Sequence, residues 1–333
     1  MVRIAINGLG RIGRAVFKLV LDEPELELVA VNDLVPADNL AYLLKYDTAY
    51  GKYKRRVESS ENSLIVDGKE YKVFSEKEPE QLPWKSLEVD AVFECTGIFT
   101  KKEGLEKHIK AGAKYSILSA PAKSEDVETV VFGVNQAPES EQVFSCASCT
   151  TNCITPVVEI IGRRIGVKKA IMTTIHAYTS SQELVDGPSK KWRRGRAAAA
   201  NFVPTSTGAA IATTKVLPQY NGKFDGVAVR APIPVGSISD INFVTERPTN
   251  VEEVNQIFQE EAASDRYKGI LAVSNEEIVS ADIVSDSHAS IVDLTMTQVV
   301  DGDLVKVMSW YDNEWGYANQ MVRTVVSLFK INA

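Results

Sequence analysis

The sequence predicts a two-domain α/β chain: a doubly wound parallel sheet over residues 1–148, then an α+β catalytic half on a mostly antiparallel sheet over 149–314. Three observations predict it. Short β-branched runs alternate with helical patterns through the first 120 residues, and long β-rich stretches replace them after residue 150. The third is length, because 333 residues exceed one ordinary domain of about 150.

Each element follows from its pattern. VRIAIN (2–7) is apolar enough for a buried strand, and Ile12, Val16, Leu19 and Val20 make one stripe of a helix from Arg11 to Leu21. ELELVAVND (25–33), DAVFECTG (90–97) and KYSILSA (114–120) read as further strands, with helices from Asn39 to Lys45 and Lys102 to Ala111 between them. In the second half KKAIMTTIHAYT (168–179), FDGVAVRAPIPVGSISDINFVTER (224–247), ASIVDLTMTQVVDG (289–302) and LVKVMSWYDN (304–313) alternate like antiparallel strands with one wetter face. Helical patterns fall near 150–165, 207–217 and 250–263. The amphipathic stretch from Trp315 to Leu328 opens a C-terminal segment, 315–333, expected to pack back on the first domain.

Composition narrows the function. Hydrophobic residues make up 44% and charged residues 24%, ordinary for a globular protein. A net charge of −7 removes any whole-chain basic footprint for nucleic acid or an anionic membrane surface. No apolar run reaches the ~18 residues of a membrane span, and MVRIAINGLGRIGRAVF shows no charged leader, apolar core and small-residue cleavage site in succession. Four cysteines, three of them within 146–153, make no disulfide framework, so the expected location is cytoplasmic.

Gly8-Leu9-Gly10-Arg11-Ile12-Gly13 fits G-x-G-x-x-G. The spacing alone is weak, but a strand ends at Asn7, a helix opens within the motif, and Asp33 closes the next strand. That setting is a Rossmann-type dinucleotide fingerprint. Gly8 permits the tight turn, Gly10 lets the backbone approach a pyrophosphate, Gly13 lets helix and strand pack closely, and the helix N-terminus faces the phosphates. Asp33 should accept from the adenosine ribose hydroxyls and repel a 2′-phosphate, favouring NAD over NADP. The competing reading is a glycine turn in an unrelated α/β protein.

Ser145-Cys146-Ala147-Ser148-Cys149-Thr150-Thr151-Asn152-Cys153 is the most unusual segment. Zinc would want about four ligands, yet the only other cysteine is Cys95 and the three histidines (His108, His176, His288) are scattered, so no metal is expected. A Cys146–Cys149 redox pair has the C-x-x-C spacing without thioredoxin-like surroundings, and three buried core thiols are the bland alternative. The chemical reading is a nucleophile: Ser148 caps a helix starting at Cys149 or Thr150, where dipole and free N–H groups lower a thiol's pKa. Pro156 should kink that helix or delay its regular part. His176, at the end of the strand IMTTIH, is the candidate base, while His108 and His288 read as structural.

GLGRIG at 8–13, SCASCTTNC at 145–153, HAYT at 176–179, RRGRAAAA at 193–200, PTSTGAA at 204–210 and WYDNEWGY at 310–317 stand in the order and spacing of one family. The chain resembles phosphorylating glyceraldehyde-3-phosphate dehydrogenase over essentially its whole length. The resemblance implies oxidation of glyceraldehyde 3-phosphate with NAD and inorganic phosphate. Cys149 would attack the aldehyde to form a thiohemiacetal, and His176 would act as acid and base on the way to a thioester. It assigns Ser148, Thr150, Thr207 and Gly208 to the attacking phosphate, and Thr179 and Arg230 to the substrate's phosphate, with Arg194 serving both. Asn313 would bind the nicotinamide carboxamide, with Tyr317 near the ring, Arg11 and Ile12 under the pyrophosphate and Thr96 beside the cofactor. A homotetramer is implied.

Three positions depart from the family pattern. Cys146 stands where asparagine is usual, and Ser180-Ser181 replaces a pair that carries a carboxylate. Gly187 before Pro188 replaces a bulky aliphatic residue in the loop that touches the adenosine ribose, which leaves dual NAD/NADP use open. Erythrose-4-phosphate dehydrogenase is the neighbouring alternative, against which PTSTG at 204–208 argues, since Thr207 suits acyl transfer to phosphate. From a different class, Lys190-Lys191-Trp192-Arg193-Arg194-Gly195-Arg196 in a non-catalytic dinucleotide module would bind RNA, a reading that the net charge disfavours.

Overall fold

The structure, a computed structural model, describes residues 1–137 and 140–329. It divides into two units. One comprises Met1–Val130, Gln136–Ala147 and the chain from Met321 on; the other comprises Val131–Asn135 and Ser148–Gln320.

The first unit is built on a nine-stranded sheet. From one edge its strands are Glu128–Thr129, Val143–Ser145, Tyr115–Leu118, Ala91–Glu94, Val2–Asn7, Leu26–Asn32, Lys69–Phe74, Ser63–Val66 and Val57–Ser60. All pairings as far as Lys69–Phe74 are parallel, and the chain winds outward both ways from the central Val2–Asn7 strand. That strand is central because Ile4 and Ile6 are fully buried. The last two strands pair antiparallel, and Ser63–Val66 joins Lys69–Phe74 through a tight turn in which Asp67 and Gly68 have φ of 52° and 84°. Two such left-handed residues suit a two-residue hairpin, so Asp67-Gly68 was a turn signal that the strand reading passed over. The helix Trp315–Leu328 begins where Asp312 Oδ1 accepts from the backbone N–H of Glu314 and Trp315. Its later residues serve the first unit, where the Thr324 side chain bonds Cys146 and Phe329 meets Tyr115 edge-on.

The second unit has a seven-stranded sheet in the order Val203–Ser206, Phe224–Ala231, Val167–Ala177, Ser237–Thr245, Leu304–Tyr311, Ser290–Val300 and Leu271–Ser274. Four of its six pairings are antiparallel. Met172, Ile241, Phe243, Val305 and Val307 share a core with Ile154, Val157 and Ile161 of the Cys149–Arg164 helix. The stretch 224–247 is two strands, not one, because Pro232 and Pro234 bring no N–H to a ladder. Pro156 lies inside the Cys149–Arg164 helix, whose regular part is not delayed but begins at Cys149. Eleven of that helix's sixteen residues are buried, and this packing outweighs one lost backbone bond.

Candidate active site

The second unit assembles its reactive groups at the start of the Cys149–Arg164 helix. Ser148 is the N-cap, its Oγ accepting from the Thr151 N–H at 3.1 Å. The chain enters through Ala147 at φ +58°, a left-handed conformation that costs a residue with a Cβ about 1–2 kcal/mol. The neighbouring Val167–Ala177 strand alternates its side chains, so Met172, Thr174 and His176 all point inward. His176 thereby meets Cys149, with Sγ 3.3 Å from Nε2. Arg230 is the direct register partner of His176 on the parallel Phe224–Ala231 strand. Its Nη1 donates to the Ala177 carbonyl at 3.0 Å and lies 2.8 Å from His176 Nδ1.

His176 Nδ1 lies 2.7 Å from the Ala177 carbonyl oxygen. A hydrogen on Nδ1 donated to that oxygen leaves the Nε2 lone pair facing the sulfur, and the tautomer is assigned on this bond. Burial first, and Arg230 second, push His176 down to about 3, so the ring is neutral. Cys149 is half-buried. Burial pushes its thiol up, against the Arg230 charge and hydrogen bonds from the Thr150 hydroxyl and N–H that favour the thiolate. A thiol with a lowered pKa was expected at this helix start. Burial works against that expectation, pushing the thiol up.

The anion-binding candidates divide into groups. Arg230 brings a further buried donor, Nε, which has no partner among the described residues. Thr179 Oγ1 and Ser181 Oγ lie 2.9 Å apart, and Arg194 Nη1 donates to Ser181 Oγ at 3.3 Å. Arg194 Nε donates to Thr205 Oγ1 at 3.0 Å. Thr207 Oγ1 accepts from the Ala209 N–H at 3.2 Å, and Gly208 is exposed just before the Ala209–Val216 helix. Thr150 stands apart: it is buried, and its hydroxyl lies 2.9 Å from Tyr311 Oη as well as bonding the sulfur.

In the first unit the fingerprint residues gather at the carboxyl ends of three adjacent parallel strands. Gly8 has φ +92°, and a Cβ there would lie 2.8 Å from the Thr96 nitrogen. A Cβ on Gly13 would stand 1.9 Å from the Gly8 carbonyl oxygen, whereas one on Gly10 would meet nothing within 4 Å. That open backbone, on a helix whose N-cap Gly10 has no side-chain bond, is the cradle a pyrophosphate needs. Asp33 accepts the Leu9 N–H at 2.7 Å and the Val35 N–H at 2.9 Å, one on each carboxylate oxygen. Each oxygen keeps a lone pair for a ribose hydroxyl. Arg11 turns its guanidinium to Asp47 and Tyr50, and its backbone, with that of Ile12, opens the helix.

Asn313, buried in the second unit, accepts from the Gly236 N–H at 3.1 Å and the Ser237 hydroxyl at 2.9 Å on the same oxygen. Its amide NH2 is thereby oriented to donate to a carboxamide oxygen. Tyr317 is buried. Gly187 N–H donates to the Gly195 carbonyl at 2.8 Å, and a Cβ on Gly187 would meet Glu183 only at an ordinary 3.6 Å, so the loop with Pro188 tolerates bulk that it lacks. Two contributors escaped the sequence reading. Tyr311 links Thr150 to Thr174, and Ser237 accepts the Ala177 N–H while donating to Asn313. Tyr311 lay in plain view inside WYDNEWGY; Ser237 carried no signal at all.

A family model described as glyceraldehyde 3-phosphate dehydrogenase, NAD binding domain, matches residues 2–102, and one described as its C-terminal domain matches residues 148–313. A glyceraldehyde-3-phosphate dehydrogenase of Thermotoga maritima is 50% identical, over 99% of this chain and 100% of that protein. Those of Streptomyces coelicolor and Geobacillus stearothermophilus are each 48% identical, over 98% and 96% of both chains respectively. With both halves matched and the relatives aligned nearly end to end, the chain belongs to the glyceraldehyde-3-phosphate dehydrogenase family, whose N-terminal part binds NAD.

Proposed function

We propose that the chain catalyses the reversible oxidative phosphorylation of glyceraldehyde 3-phosphate to 1,3-bisphosphoglycerate, with Cys149 as nucleophile and His176 as acid and base. The observation that carries this is the 3.3 Å approach of Cys149 Sγ to His176 Nε2 beside Arg230. His176 Nε2 takes the thiol proton as sulfur bonds to the aldehyde carbon, then returns it to the oxygen, giving a thiohemiacetal. Bound NAD supplies the hydride acceptor. As hydride leaves carbon, His176 takes the hydroxyl proton and the carbonyl re-forms as a thioester. Inorganic phosphate attacks that carbonyl, the carbon–sulfur bond breaks, and the imidazolium proton returns to sulfur. The thioester keeps the oxidation energy that hydrolysis would dissipate.

Arg230 Nε, Thr179 and Arg194 suit the substrate's phosphate by charge-assisted bonds, and Ser148, Thr207 and Gly208 the attacking one. Gly8, Gly10, Gly13, Asp33 and Thr96 would hold NAD in the first unit, and Asn313 would orient the carboxamide. Four chains would assemble. Ile171, Val227 and Phe202 support that, being 62%, 53% and 71% exposed on this chain. The deciding assay is aldehyde-dependent reduction of NAD and of NADP, each with and without inorganic phosphate. NADH formation that requires phosphate supports the proposal; an equal rate without phosphate would overturn it.

A further inference from the structure

The first unit contains a buried polar chain that the chemistry above does not use. Glu94, fully buried, ends the Ala91–Glu94 strand just before the turn through Thr96. Its Oε2 accepts from Asn7 Nδ2 at 2.6 Å and lies 3.1 Å from His108 Nε2. Its Oε1 accepts from the Thr96 N–H at 2.8 Å and from the Thr96 hydroxyl. His108, also fully buried, accepts at Nδ1 from the Trp84 indole N–H at 3.1 Å. The hydrogen of the neutral ring must then be on Nε2, donated to Glu94. Beyond Asn7 the chain continues through a 2.7 Å bond to Asn32, which exchanges two backbone bonds with Glu76 at 2.9 Å each.

This carboxylate is held by four hydrogen bonds with no lysine or arginine among them, an arrangement costly to bury for packing alone. What it orients is specific. Two of its bonds fix Thr96, whose nitrogen and methyl lie 2.8 Å and 2.9 Å from where a Gly8 Cβ would stand. A third fixes Asn7, whose carbonyl accepts the Cys95 N–H at 2.7 Å. Both walls of the Gly8 turn are therefore set from beneath by one side chain.

We propose that Glu94 and His108 are positioning residues for the dinucleotide, holding Thr96 and the Asn7–Gly8 turn in the shape that receives the pyrophosphate. This rests on the NAD site described above. In Glu94→Gln one carboxylate oxygen becomes an NH2 that opposes a donor, so the turn loses its register. In His108→Gln a flexible amide replaces the ring, so the donor to Glu94 is displaced and its bond weakened. Trp84→Phe leaves Glu94 its four donors.

NAD dissociation constants measured by titration calorimetry, alongside melting temperatures, test the proposal. The expected rise is about tenfold or more for Glu94→Gln, about threefold for His108→Gln and under about twofold for Trp84→Phe. For Glu94→Gln, KM for NAD should rise by a larger factor than kcat falls. A purely structural role predicts the reverse order, because Trp84 is among the largest fully buried side chains and its truncation should lower the melting temperature most. Folded Glu94→Gln and His108→Gln proteins with unaltered NAD affinity, or affinity losses that follow the melting temperatures, would overturn the inference. Failure of the unsubstituted chain to bind NAD would instead remove the site reading beneath it.

Discussion

Cys149 and His176 carry opposed environments, and the opposition is testable. Replacing the thiol by a hydroxyl in Cys149→Ser should lower NADH formation by on the order of 10³-fold or more, because serine is a far weaker nucleophile at neutral pH. His176→Asn should lower kcat by on the order of 10²-fold through loss of the acid and base. Stopped-flow absorbance of NADH checks both. The histidine also couples stability to pH. Folded, it titrates near 3 against an ordinary 6.5, so between those values the unfolded chain binds a proton that the folded chain refuses. Stability should therefore be lost as pH falls through that window, and His176→Asn should lose part of that dependence. Calorimetric melts at pH 7 and pH 4 should show the variant gaining on the parent as the solution is acidified; a constant gap would contradict the assignment.

At the scale of elements, the two ends of the fingerprint turn respond differently to the same change. Gly13→Ala places a methyl 1.9 Å from the Gly8 carbonyl oxygen, which the strand–helix packing cannot absorb. It should cost stability by roughly 3 kcal/mol or more and abolish NAD binding. Gly10→Ala meets nothing within 4 Å, so it should leave the melting temperature nearly unchanged while still weakening NAD binding by filling the approach to the pyrophosphate. Denaturant melts and nucleotide titration separate the two effects. A control away from both sites is Asn250→Ala. Asn250 caps the Val251–Ala262 helix by accepting the Glu253 N–H at 2.8 Å, and losing that cap should cost about 1 kcal/mol with turnover retained.

At the scale of the whole molecule, the exposed apolar side of the second sheet carries the prediction. Val227→Lys puts a charge on a residue that is 53% exposed on this chain. If four chains pack through that face, sedimentation velocity should show smaller species in the variant, with the secondary structure intact by circular dichroism. Nucleotide choice is the second molecular property. Asp33 retains a lone pair on each oxygen, so kcat/KM should favour NAD although Gly187 leaves space for a 2′-phosphate; an NADP preference above about tenfold would refute the reading of Asp33.

Much of this was readable without coordinates, for a local reason. Strand and helix periods, the glycine spacing at 8–13, the Ser148 cap and the cysteine after it are properties of neighbouring residues, and local chemistry dictates them. The motif order even named the family. Long-range register was not readable. Nothing near position 230 announces that Arg230 will stand opposite His176, and nothing near 94 that a buried carboxylate will collect donors from positions 7, 96 and 108. The sign of the Cys149 shift had the same fate: the helix start is local and favours the thiolate, but burial belongs to the packed unit and outweighs it. Desolvation and cross-strand pairing depend on groups far apart in the chain, so only the folded structure could decide them.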